Sequence, residues 1–165
     1  KADIVEIGIP FSDPIAESPQ IQNASKRAIE NGATLVKIFD TIKDFRKNNG
    51  DIAIILSLYI NTIFAFGADK FFSLCDECNI SALAVPDLPF EEQDEILPIC
   101  NAHGVYLLNQ TTNASQERAK MIATKAKGIL LCTFCKGTTP SQQQSFIAFL
   151  RENTNVAIAC GNEFV

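Results

Sequence analysis

Residues 2–8 read ADIVEIG, and after the loop IPFSDPIAESP the chain continues QIQNASKRAIENG over 20–32. The first stretch is a short apolar run, which reads as a strand. The second has helical spacing and closes on Gly32, so it reads as a helix. A second helix belongs to the same crossover: TLVKIFDTIKDFRKNNG (34–50) places Leu35, Ile38, Phe39, Ile42 and Phe45 on one face, with Thr34 as cap and Gly50 as stop.

The alternation continues along the chain. IAIILSLYI (52–60) reads as a strand, and IFAFGADKFFSLCDECN (63–79) as helical with a break near Gly67. ALAVP (82–86) is a strand, FEEQDEILPICNAHG (90–104) a helix disturbed by Pro98, and VYLLN (105–109) a strand. SQERAKMIATKAKG (115–128) is a helix capped by Ser115, ILLCTF (129–134) a strand, SQQQSFIAFLREN (141–153) a helix and VAIAC (156–160) a strand. Six strands with a helical crossover between each neighbouring pair must run parallel, because only a crossover returns the chain to start a neighbour in the same direction. The strands are continuous in apolar residues, as expected where both faces are covered. An α/β fold follows, either an open doubly wound sheet or a piece of a (β/α)8 barrel. No domain boundary, repeat or low-complexity segment interrupts residues 1–165, which are read as a single domain.

Composition narrows the function classes. Of 165 residues, 47% are apolar and 20% charged, the balance of a folded globular protein. The net charge of -5 leaves no basic stripe for a phosphate backbone, which argues against nucleic acid. The longest apolar run, 52–60, falls far short of the roughly 20 residues that span a bilayer, and the amino end lacks a signal-peptide pattern. A cytoplasmic protein is expected, its six cysteines free thiols. Cys75/Cys78 and Cys132/Cys135 form two C-x-x-C pairs, but more than fifty residues separate them, beyond zinc-ribbon spacing, so no metal site is expected.

In either architecture a ligand binds at the carboxyl ends of the strands, where the unusual residues gather: IPFSDPIAESP, YINT, PDLP, NQTTN, CKGTTPS and CGNEF. Neither a G-x-G-x-x-G nor a Walker loop is present, so no dinucleotide or P-loop nucleotide site is indicated. Glu6 alternates with Ile4 and Gly8 on one face of a strand expected to be covered on both sides. Burial of that kind favours a protonated carboxyl suited to proton transfer; the alternative is a solvated carboxylate at a strand end. Pro10 and Pro14 restrict the following loop, and Phe11 supplies it with apolar surface.

The stretch ADIVEIGIPFSDPIAESPQIQNA (2–24) closely resembles the signature of the tryptophan synthase alpha subunit family. The resemblance continues at SLYINTIFAFG (57–67) and AVPDLPFEE (84–92), and more loosely at LLNQTT (107–112) and CKGTTP (135–140), so it covers essentially the whole chain. It implies a (β/α)8 barrel and a lyase of tryptophan biosynthesis that cleaves indole-3-glycerol phosphate to indole and glyceraldehyde 3-phosphate. By the same resemblance, Glu6 is the general acid and base that delivers a proton to indole C3. Glu17 stands where the family has the aspartate that accepts the indole N-H. Phe11, Tyr59, Asp87, Gly137 and Thr139 match substrate-site positions, although Tyr59 also suits core packing and Asp87 a turn. Asp13, Pro14, Asn61 and Pro89 match positions that face a beta subunit in an α2β2 complex. The alpha subunit is expected to carry no cofactor; pyridoxal phosphate belongs to the beta subunit.

Several positions depart from the family pattern. Glu17 is one methylene longer than the aspartate, Ser18 replaces a glycine and Thr62 a proline. Pro140 takes the second glycine of the G-x-T-G phosphate loop and offers no N-H. Cys160 and Asn162 stand at the glycines of G-F-G, and Glu163 adds negative charge there. The resemblance runs from the second strand of the barrel to just after the seventh, so the chain is expected to be an incomplete barrel, part of a larger protein. Two other readings remain: an alpha-like partner that binds a beta subunit without chemistry, and a related phosphate-barrel enzyme with a changed substrate. His103, the only histidine, falls at a helix end and is read as structural.

Overall fold

All strand pairs among the described residues are parallel. In the computed structural model, which describes residues 2–50 and 52–161, one sheet has the order β1 (Ile4–Gly8), β2 (Ala53–Ser57), β3 (Ala82–Ala84), β4 (Tyr106–Leu107). A second has the order β5 (Gln110–Thr112), β6 (Ile129–Thr133), β7 (Ala157–Cys160). The chain divides into two compact units, up to Leu107 and from Leu108.

In the first unit, α1 (Pro19–Glu30) and α2 (Leu35–Arg46) link β1 to β2, and α3 (Ile60–Phe66) and α4 (Ala68–Glu77) link β2 to β3. A 3-10 turn (Phe90–Glu95) and α5 (Leu97–Ala102) lead to β4. Local chemistry sets the boundaries. Ser18 and Thr34 cap α1 and α2, accepting from the N-H groups of Ile21 and Lys37. Gly67, with φ 93, separates α3 from α4. In the second unit α6 (Gln116–Lys125) starts on Ser115 and links β5 to β6, and α7 (Pro140–Asn153) links β6 to β7.

The core of the first unit lies between one face of its sheet and the helices. Ile54, Leu56, Leu58 and Leu83 meet Phe39, Ile63, Phe71 and Phe72 there, all essentially buried. Phe71 packs edge-on against both Phe39 and Phe72, with ring centroids 5.7 and 5.4 Å away. Each such side chain contributes about 1.5–3 kcal/mol by burial. Cys75, Cys78 and Cys100 are free thiols in the same core. Where α2 ends, Arg46 donates to the carbonyls of Asn49, Gly50, Ile52, Cys78 and Asn79, so one guanidinium gathers two chain segments. The helix stops at Arg46, short of the expected Gly50.

Two expectations are corrected. The fourth strand, read as 105–109, is shorter, Tyr106–Leu107, and pairs with β3, while Gln110–Thr112, read as loop, is a further strand that pairs with β6. The strand bearing Glu6 is also open on one face. Ile7 and Ile9 pack toward the core, while Ile4, Glu6 and Gly8 are exposed. β1 is the edge strand of its sheet, and the row Glu6, Ile55, Ala82, Tyr106 lies on the face away from the core.

Candidate active site

The loop after β1 turns on itself twice. Ile15 N-H donates to the Asp13 carbonyl and Glu17 N-H to the Pro14 carbonyl. Glu17 is thereby returned toward the end of the strand that carries Glu6. Ser18 then opens α1, and Gln22, one turn on, donates its side-chain N-H to the Glu17 carbonyl at 2.9 Å. The Ser18 departure thus has a structural use.

Tyr59, the residue before α3, holds this loop. Its ring stacks on Phe11 with centroids 4.9 Å apart and planes 14° from parallel. Its hydroxyl accepts the Ala16 N-H at 2.8 Å, directly before Glu17. Tyr59 is only 5% exposed, so both contacts sit in a low-dielectric setting where they count for more. Burial pushes the Tyr59 hydroxyl pKa up, the Ala16 N-H opposes this, and Glu17, Asp87 and Asp13 add to the rise. Asp87 accepts the Ile60 N-H at 3.0 and 3.3 Å, supplying a carboxylate to the first turn of α3.

Glu17 is half-buried, and its carboxyl pKa is raised, first by burial and then by the charge of Glu6. A proton is held more readily on Glu17 because Glu6 is close. Two carboxyls in unlike surroundings at one strand end can divide acid and base roles. Asp13, Asn61 and Pro89 are exposed and Pro14 partly so, and Ile15 between them is 78% exposed. Thr62, in the first turn of α3, has a buried Oγ1 without a hydrogen-bond partner. An open cleft of about 320 Å3 lies behind the loop, lined by Pro10, Phe11, Leu35, Ile38, Asn61 and Phe66 among others.

Gly137 and Thr139 belong to the second unit. Gly137 has φ 82 with open space where a Cβ would stand. Thr139 forms a capping box with Gln142, and Pro140 is the first residue of α7. Proline suits that position because the N-H it lacks would have no helical partner. Asn113 pins the loop, accepting the Cys135 N-H at 2.7 Å and donating to Thr138 Oγ1 at 3.0 Å. Asn162 and Glu163 lie outside the described residues.

Sequence reasoning missed the Ala16 and Asn113 contacts, and it gave Gln22 no role of its own. Gln22 falls one turn after a capping serine, which was the available signal. His103 contacts Asp76 at 2.7 Å and the Phe72 ring, a structural placement. Among the described residues no group of three or more His, Cys, Asp or Glu is placed to hold a metal ion. No helix among them is long and apolar enough to cross a membrane.

A family model described as "Tryptophan synthase alpha chain" matches residues 1–162. The chain belongs to the tryptophan synthase alpha chain family. It is 37% identical to the tryptophan synthase alpha chain of Shouchella clausii over 97% of its own length and 62% of that protein's. The Caldicellulosiruptor bescii alpha chain is also 37% identical, over 96% and 63%. Among solved structures, a protein from Aquifex aeolicus superposes with a TM-score of 0.89 at 29% identity, covering 96% of this chain and 63% of that one. The alpha subunit from Legionella pneumophila gives 0.86 at 28%, over 97% and 61%. A structure of the Pyrococcus furiosus tryptophan synthase α2β2 complex gives 0.86 at 27%, over 96% and 65%. The chain therefore spans less than two thirds of the curated alpha chains it matches. Its fold is α/β of the (β/α)8 barrel type, with part of the barrel's strands.

Proposed function

We propose that the protein containing this chain is a lyase that cleaves indole-3-glycerol phosphate to indole and glyceraldehyde 3-phosphate, with Glu6 as general acid and base. The observation that carries this reading is the return of Glu17 to Glu6 at the carboxyl end of a parallel strand, close enough for one charge to shift the other's pKa. A proton delivered to indole C3 makes the ring cationic, and a carboxylate at the ring N-H stabilises that charge. Loss of the glycerol hydroxyl proton then breaks the carbon–carbon bond and leaves an aldehyde, so protons balance without a cofactor. Glu17 takes the N-H role, while Phe11, Tyr59 and Asp87 shape the apolar end of the site. Gly137 and Thr139, in the second unit, match positions of the family's phosphate loop and have their backbone to offer there, since the Thr139 hydroxyl is engaged in the cap. A cytoplasmic location fits this chemistry.

The test is indole release from indole-3-glycerol phosphate by the full-length protein, with and without a beta subunit. Release that disappears in Glu6→Gln supports the lyase. A Glu6→Gln variant that still makes indole overturns it.

The exposure of Ile15 among Asp13, Pro14, Asn61 and Pro89 favours a second role for the same protein. This surface docks on a beta subunit that carries pyridoxal phosphate. Association measured by analytical ultracentrifugation is expected to survive Glu6→Gln and to weaken at least tenfold in Ile15→Asp; absence of association at micromolar concentrations removes the docking role.

A further inference from the structure

We infer that Cys132 and Cys160 form a redox-active dithiol that closes to a disulfide between β6 and β7 when the protein meets a peroxide. The register pairs the two residues directly across the parallel ladder. Neighbouring strands lie about 4.8 Å apart, and side chains in one row point to the same face. That spacing falls inside the Cα separation of about 4.4–6.8 Å that a disulfide accepts. The two side chains are near enough for a charge on Cys160 to act on the Cys132 thiol.

The two sulfurs differ in a way that orders the steps. Cys132 is fully buried, and burial with the neighbouring Cys160 pushes its pKa up to about 12, so it remains a thiol at neutral pH. Cys160 is exposed and meets the oxidant first. Its thiolate attacks one peroxide oxygen and breaks the O–O bond. The leaving hydroxide takes up a proton to become water, and Cys160 becomes a sulfenic acid. Cys132 Sγ then attacks Cys160 Sγ; the S–S bond forms, the S–O bond breaks, and the departing hydroxide carries off the Cys132 proton as a second water. Two thiols are oxidised and one peroxide is reduced to two waters.

The backbone ladder fixes the distance between the cysteines, and Gly161 N-H donates to the Cys132 carbonyl at 3.0 Å immediately beyond Cys160. A disulfide held in that frame has little room to relax, which makes it reducible by ordinary thiols. The bond would tie the carboxyl ends of β6 and β7 together, beside the loop that follows β6. Cys135, exposed and three residues on, is the competing thiol.

The experiment treats the folded full chain with hydrogen peroxide and maps its tryptic peptides without reduction. Residues 128–136 joined to the peptide that starts at Glu152, with fragmentation placing the bond at Cys132 and Cys160, is the expected result. Dithiothreitol should reverse it, Cys135→Ser should retain it and Cys160→Ser should abolish it. If Cys160→Ser fails to fold, native-state alkylation of Cys160 in the Cys135→Ser protein gives the same control. The inference is overturned if the folded protein yields no linked pair, or if the bond uses Cys135 instead of Cys132 or Cys160.

Discussion

The loops after β1 and after β6 both carry residues that match a family active site, yet they use their polar groups in opposite ways. After β1 the backbone is held by others: Tyr59 takes the Ala16 N-H, Gln22 takes the Glu17 carbonyl, and Phe11 stacks on Tyr59. The holding is done without the Glu6 and Glu17 carboxylates, the two groups to which the proposed function gives the chemistry. After β6 the candidate residues do the holding. Thr139 and Gln142 cap α7, and Asn113 spans Cys135 and Thr138. The two segments differ in where their hydrogen-bond capacity goes: into the backbone of the β1 loop from outside it, and into the cap and loop closure after β6.

Substitutions can break that contrast. The largest effect is expected at Glu6: general acid–base groups contribute about 10²–10⁴-fold, so Glu6→Gln should lower kcat by that order with little change in the urea midpoint. Tyr59→Phe comes next. It keeps the stack but removes the acceptor from the Ala16 N-H, with an expected cost of about 1 kcal/mol in stability and roughly a tenfold fall in kcat as Glu17 loses its fixed position. A kcat unchanged in Tyr59→Phe would show that the turns at Pro14 and Ser18 position Glu17 unaided. Thr139→Ala should behave the other way, losing about 1 kcal/mol of stability with kcat/KM within a few-fold of the parent. A hundredfold loss of kcat/KM at unchanged stability would return the Thr139 hydroxyl to the site.

What could be read from sequence divides along the same line. Features made by near neighbours were legible: the caps Thr34 and Ser115, the break at Gly67, the start of the helix after Gly137, and the parallel alternation itself. Ser18 was visible as a departure from the family but not as a cap, because a substituted glycine draws attention away from what the new side chain can accept. Features made by distant partners were not legible. The bond from Ala16 to Tyr59 crosses 43 residues, and the Arg46 guanidinium reaches 33 residues to the Asn79 carbonyl. Glu6 was read as covered because apolar neighbours on either side imply a buried strand; they do not reveal that the face carrying Ile4, Glu6 and Gly8 is open. The strand Gln110–Thr112 was read as loop because QTT is polar and has no apolar run to mark it.

The smallest effect tests the coupling of the two carboxyls. The Glu17 pKa in the folded chain lies above its ordinary value of 4.5, so the folded state binds that proton more tightly than the unfolded state does. The contribution is fully present below about pH 4.5 and is lost as pH rises through the raised value. At neutral pH the ionised Glu17 therefore opposes folding slightly, through partial burial and the nearby Glu6 charge. Glu17→Gln should raise stability at pH 7 by a few tenths of a kcal/mol, since solvent screens a half-buried group, and the difference should vanish by about pH 4. Glu6→Gln should shrink that difference, because it removes the charge while leaving the burial. Urea unfolding of the parent, the two single variants and the double variant at pH 4 and pH 7 measures both contributions. A gap that grows as pH falls, or one that Glu6→Gln leaves untouched, would mean that the carboxyls do not sense each other and that the β1 loop holds two independent acids.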